Sequence, residues 1–136
     1  MHYDDFYGHA ALRAVVKTPV QTGENCWFPG EMAKCMAAGA CDYFMPDAGK
    51  IGGVTGWMGA AKLAAAANLP LSSHLYPEVS VHLLAATPTR HWLEYVDWAE
   101  PVLAEALPVI DGHCRPAEKP GIGIEWNDRA VDKYGV

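Results

Sequence analysis

Four short apolar runs, each carrying an acid or an imidazole at its end and each alternating with a helix-forming stretch, constrain this chain more than any other feature. The runs are "TPVQTGE", "CDYFMPD", "PLSSH" and "HWLEYVDW", and their polar closers are Glu24, Asp47, His74 and Glu94. The separations are 23, 27 and 20 residues. Between the runs lie "PGEMAKCMAAGA" (29 to 40), the alanine-rich "GGVTGWMGAAKLAAAANL" (52 to 69) and "PEVSVHLLAATP" (77 to 88). Pro29 and Pro77 stand where a first helical turn tolerates proline, and Gly39 and Pro88 stand where a helix stops. Strand–helix alternation of this kind predicts βαβ units and a parallel sheet. A complete (β/α)8 barrel of about 250 residues repeats roughly every 31 residues and carries its chemistry at the C-terminal ends of its strands. Four strand ends bearing Glu, Asp, His and Glu fit that rule, and four strands are half of such a barrel.

After Trp98 the rhythm stops. "EPVLAEALPVIDGHCRPAEKPGIGIEW" contains an Asp111-Gly112 turn signal and reads as an irregular segment with a short hairpin. "NDRAVDKYGV" reads as a short terminal helix capped by Asn127 or Asp128.

Composition narrows the class. With 136 residues, 51% of them hydrophobic, the chain suits one domain with a substantial core. A net charge of −6 and the lack of a basic cluster argue against a nucleic-acid partner. A small anionic substrate remains compatible, since a local metal or lysine overrides net charge. No apolar run reaches the ~20 residues of a membrane span, and the acidic, aromatic "MHYDDFYGH" is no secretory signal. Cys26, Cys35, Cys41 and Cys114 form no C-x-x-C pair and read as free, buried thiols, which points to reducing cytoplasm.

"MPDAGKIGG" superficially suggests a phosphate loop. The Walker pattern requires Gly where this chain has Phe44, and Ser or Thr where it has Ile51, so that reading is rejected. Asp47 and His74 are the more informative pair. On adjacent parallel strands, a carboxylate beside an imidazole fixes its tautomer and makes a general base. The bland alternative, an aspartate capping the next helix and a histidine satisfied by backbone, stays open on sequence alone. Of Glu24 and Glu94, one could ligate a hard divalent cation and the other could hydrogen-bond a developing oxyanion. A surface salt bridge or a helix cap is the alternative for each. Glu78 and His82 share a helical face, but Pro77 separates them from His74, and Glu78 in a first turn suits the helix dipole.

Taken together, "PVQTGEN", "MPDAGKIGGVTGW", "SSHLYPEVSVHLLAATPTRHWLE" and "PGIGIEW" resemble the mandelate racemase subgroup of the enolase superfamily, from about Tyr3 to Tyr134. The resemblance implies an α/β fold, the C-terminal half of a TIM-type (β/α)8 barrel comprising strands five to eight with their helices, plus a tail. Residues 1–98 would be the half barrel, and 99–136 a tail that packs on a capping domain this chain lacks. It further implies a Mg²⁺-dependent abstraction of the proton α to the carboxylate of a 2-hydroxy acid, leading to racemisation or to dehydration of an acid sugar. Glu24 lines up with the third acidic Mg²⁺ ligand, Asp47 and His74 with the His–Asp dyad, and Glu94 with the acid that hydrogen-bonds the substrate carboxylate. Lys50 belongs to the same motif without an implied catalytic role.

The family's Lys-x-Lys base and first two metal ligands have no counterpart here, and one protein ligand is too few for a dedicated Mg²⁺ site. The chain in isolation is therefore expected to be inactive and to bind Mg²⁺ weakly. Its partners are expected to be a small carboxylate substrate and other copies of itself, because a half barrel exposes sheet edges and an inner face. A non-catalytic half barrel that folds by self-association is the rival reading.

Overall fold

The computed structural model describes residues 1–135. Its elements in chain order are α1 (Phe6–Val15), β1 (Gln21–Thr22), α2 (Phe28–Ala37), β2 (Tyr43–Phe44), α3 (Gly53–Ala66), α4 (Pro77–Ala85), a 3-10 turn (Glu100–Val102) and α5 (Asp128–Tyr134). β1 and β2 are parallel, with Gln21 opposite Tyr43 and Thr22 opposite Phe44. The sheet continues through single parallel bridges, Phe44 to Leu71, Asp47 to His74 and Leu71 to Arg90. Four extended segments thus lie side by side in chain order, separated by helices, which is the expected βαβ arrangement.

The regular strands are much shorter than the apolar runs from which they were expected, and the third and fourth consist of bridges alone. Side chains take over part of the ladder there. The Trp92 N–H donates to Ser72 Oγ at 3.4 Å and the Glu94 N–H to Ser73 Oγ at 3.0 Å. Backbone bonds still join these segments, from Ser72 N to Phe44 O at 2.8 Å and from His91 N to Leu71 O at 2.9 Å. The helices also end earlier than the apolar pattern suggested. α2 stops at Ala37, α3 at Ala66 and α4 at Ala85, so the remaining residues of each run form turns.

α1 was not legible in the sequence. Asp5 caps it, accepting the Gly8 N–H at 2.8 Å, yet no residue of the helix is buried. Phe6 packs against the edge of the core, and a polar tether adds to that hold: Arg13 Nε donates to Asp42 Oδ1 at 2.7 Å. Asp42 also accepts the Val20 N–H at 2.8 Å, and that bond, followed by the one from Arg13, lowers its pKa.

The core lies between the sheet and α2, α3 and α4. On α3, Trp57, Ala60, Ala61 and Ala64 are buried. That i, i+3, i+4, i+7 spacing is one helical face. Small residues on it bring the helix close to Met32 and Cys35 of α2, and to Phe44 and Leu71 of the sheet. Burying one side chain of the size of Phe44 contributes about 1.5–3 kcal/mol. Trp57 is fully enclosed and donates its indole N–H to Thr87 Oγ1 at 3.0 Å, so no polar group of the ring is left unpaired. All four cysteines are free, and only Cys114 is not buried.

Beyond the fourth segment, Leu103 bridges Trp126 in antiparallel sense, and the Ala104 N–H donates to Glu125 O at 2.8 Å. Ile110 and His113 form the short hairpin around Asp111 and Gly112, both with positive φ. Asn127 rather than Asp128 caps α5, its side chain accepting from the Ala130 N–H.

Candidate active site

The four strand ends converge on one end of the sheet, and the chain's local chemistry explains how each is held. Asp47 follows the buried Pro46 and begins a tight turn. Its Oδ1 accepts two backbone N–H groups, from Gly49 at 2.8 Å and Lys50 at 3.0 Å. This is the turn chemistry for which aspartate is favoured. Asp47 and His74 are register partners on adjacent parallel segments. Strands about 4.8 Å apart bring such side chains within reach of each other. The result is a hydrogen bond of 3.0 Å between His74 Nδ1 and Asp47 Oδ2.

Asp47 is almost wholly buried, and His74 keeps 22% of its side chain exposed. Burial works to raise the Asp47 pKa, but bonds from His74, Lys50 and Gly49 outweigh it and hold the carboxyl below its ordinary value. An ionised Asp47 favours the tautomer whose Nδ1–H donates to it, which leaves Nε2 with its lone pair. Thus Asp47 both turns the chain and orients the imidazole; it does not cap the next helix, whose N-cap is Gly52, and the histidine is bonded to a carboxylate rather than to backbone.

Glu94 binds the residue that follows His74. Its Oε2 accepts the Leu75 N–H, next to His74, at 2.7 Å. Leu75 and Tyr76 both adopt left-handed conformations, with φ of 52° and 47°. Each costs about 1–3 kcal/mol in a residue other than glycine. Glu94 pins the first of them, and Ser80 Oγ pins the same residue by donating to Leu75 O at 2.8 Å. The chain thereby turns abruptly from His74 into α4 at Pro77.

Glu24 does not touch the dyad. Its Oε1 accepts from Asn25 Nδ2 at 2.8 Å, and Asn25 Oδ1 accepts from Lys50 Nζ at 2.7 Å. Nearby Cys26 is not a nucleophile. Burial first, then the charges of Glu31 and Glu24, push its thiol up to about 12. Glu78 and His82 play no part here; His82 Nε2 lies 3.2 Å from Ile122 O, on the tail side of α4. Ser73 and Asn25 were missed as supporting residues, and Lys50 was noted in its motif but given no role, since serine, asparagine and lysine show what they support only once their partners are known.

The Enolase C-terminal domain-like family matches residues 1–130. The chain belongs to that family. Among solved structures, an enolase from Bradyrhizobium complexed with magnesium and mandelic acid is 49% identical, with a TM-score of 0.93 over 98% of this chain and 37% of its own. L-talarate dehydratase from Polaromonas, complexed with Mg and L-glucarate, is 35% identical, with a TM-score of 0.87 over 97% of this chain and 37% of its own. L-talarate/galactarate dehydratase of Salmonella typhimurium is 34% identical over 93% of this chain and 32% of its own length. This member of the enolase C-terminal domain-like family therefore spans about a third of the length of the relatives it matches.

Both of those crystal structures contain magnesium, but the described residues of this chain do not by themselves fit that ion. They include no group of three or more His, Cys, Asp or Glu side chains able to hold a metal. Glu24 stands as a single carboxylate, and a magnesium ion seeks six oxygen ligands in near-octahedral array.

Proposed function

We propose that this chain supplies strands five to eight of an enolase-superfamily barrel, with residues 99–136 as a tail against a further domain, and that the whole site abstracts the α-proton of a 2-hydroxy carboxylate. His74 is the base and takes the proton at Nε2. Asp47 holds the Nδ1 proton and stabilises the imidazolium that results. Glu94 donates its carboxyl O–H to the substrate carboxylate as charge builds on it, and Glu24 is the one acid this chain contributes toward magnesium. Carbon acids beside a carboxylate are weak, so preorganised charge of this kind carries much of the barrier reduction. The relatives support two outcomes, racemisation or loss of a β-hydroxyl from an acid sugar. The observation that carries the reading is the Asp47–His74 bond at neighbouring strand ends, with the other Asp47 oxygen engaged by backbone.

The test uses the gene product that contains this chain, with 2-hydroxy acids and acid sugars in D₂O, followed by ¹H NMR. His74→Asn is expected to slow α-proton exchange of one enantiomer by roughly 10²–10⁴-fold, the usual contribution of a general base. Exchange of both enantiomers at the parent rate would show that His74 is not the base.

A second reading, a non-catalytic half barrel that self-associates, draws support from Trp92, 69% exposed, and Gln21, exposed at the sheet edge. Light scattering that finds a stable monomer of this chain would remove that support.

A further inference from the structure

Lys50 uses three of its own groups to tie together the two loops that carry the site. Its backbone N–H donates to Asp47 Oδ1 at 3.0 Å, within the loop that holds the dyad. Its carbonyl accepts the Phe28 N–H at 3.1 Å, across to the loop after β1. Its Nζ donates to Asn25 Oδ1 at 2.7 Å on that same loop, and Asn25 passes the contact to Glu24 Oε1 at 2.8 Å. Phe28 opens α2 with a φ of 60°, a strained value for an aromatic residue. Such strain persists only when surrounding contacts over-determine it, and the Lys50 carbonyl is one of those contacts. Among the described residues, no carboxylate lies within salt-bridge distance of Lys50 Nζ. Its one side-chain partner in the structure is the neutral Asn25 amide, so the ammonium is not there to pair charge.

We propose that Lys50 is a positioning residue, clamping the Glu24 loop to the Asp47 loop so that carboxylate and dyad hold one fixed relative geometry. Its importance for turnover rests on the reading of Glu24, Asp47 and His74 as one site. The clamp itself rests only on the contacts above. Replacing lysine by methionine removes Nζ but keeps the N–H and C=O tethers. It therefore releases the Asn25–Glu24 pair from the Asp47 loop while leaving the Asp47–His74 bond in place.

The experiment compares Lys50→Met, Asn25→Leu, the double variant and Lys50→Arg in the full gene product. Misplacement of a reacting group by about 1 Å can cost ~10²-fold, so each single variant is expected to lower kcat by roughly 10- to 100-fold with a smaller change in KM. The double variant is expected to lose no more than Asn25→Leu alone, because that change already breaks the Lys50 link along with the Asn25 bond to Glu24. Arginine, which restores donors toward Asn25, is expected to recover part of the loss. In ¹⁵N NMR the Asn25 side-chain amide should shift in Lys50→Met while the His74 ring signals stay. Multiplicative losses in the double variant, or an unmoved Asn25 amide, would overturn the clamp. The amide readout needs no turnover. Failure of the base assignment, seen as exchange surviving His74→Asn, is therefore distinguishable from failure of the clamp.

Discussion

Two glycine-to-alanine changes only seven residues apart should move stability in opposite directions. Gly23 sits between β1 and Glu24 with φ of +132°, and a Cβ at that position would lie 2.8–2.9 Å from three carbons of the Phe44 ring. Favourable carbon–carbon contact begins near 3.5 Å. Phe44 is fully buried against Leu71 and α3, so the ring has no free space to yield. Overpacking costs about 1–3 kcal/mol and the unsuitable backbone about 1–3 more, which together give ~2–6 kcal/mol for Gly23→Ala. Against a total stability of about 5–15 kcal/mol this is severe. Gly30 lies in the first turn of α2, exposed, where an added Cβ would meet no atom within 4 Å. Gly30→Ala should gain ~0.5–1 kcal/mol from lower backbone entropy in the unfolded chain. Urea unfolding followed by far-UV circular dichroism reads both. With a slope of about 1.5 kcal/mol/M, Gly23→Ala should lower the midpoint by roughly 1–4 M, and Gly30→Ala should raise it by ~0.3–0.7 M. A Gly23→Ala midpoint within about 0.3 M of the parent would refute the claim that Phe44 and the backbone forbid a side chain there.

Part of the acid sensitivity should trace to Asp47. Its folded pKa lies below the unfolded value of about 3.9, so the folded state binds fewer protons in that window. Its stabilising contribution is complete above that unfolded value and is lost as pH falls through the lower folded one. Asp47→Asn should flatten the acid limb of a stability-against-pH curve below about pH 4, and an unchanged limb would assign the acid sensitivity elsewhere. Thr87→Val keeps the buried shape but leaves the Trp57 indole N–H without its 3.0 Å acceptor, and also removes the Thr87 bond to Leu83 O. A loss of ~1–3 kcal/mol is expected in urea unfolding, and Thr87→Ser should retain most of the parent stability. A Thr87→Val variant as stable as the parent would mean that the indole finds another partner.

The strand-end residues were readable because strand chemistry and helix punctuation are local. Pro77 marks the start of α4, and Asp111-Gly112 marks its hairpin, for reasons that involve only neighbouring backbone. α1 was not readable, because what holds it to the fold, Arg13 meeting Asp42 29 residues away and Phe6 against the edge of the core, depends on long-range placement. Between the third and fourth segments, Ser72 and Ser73 hydroxyls take two of the backbone N–H groups, a substitution that only proximity creates.

By itself, the sequence determined the alternation of elements, the polar identity of four strand ends and the resemblance that pointed to a family. Those follow from residue type and spacing, which set hydrogen-bonding capacity and hydrophobic period whatever the chain's long-range contacts. Only the tertiary structure decided how the four ends are joined. Parallel register sets Asp47 beside His74, Glu94 reaches across to the strained Leu75, and Lys50 links the dyad's loop to Glu24 through Asn25. Each of these bonds except the one from Asn25 to Glu24 spans about 20 residues or more, and its length depends on where separate segments lie in the sheet. A hydrogen bond tolerates only a few tenths of an ångström, and packing of α2 and α3 against Phe44 and Leu71 supplies that precision.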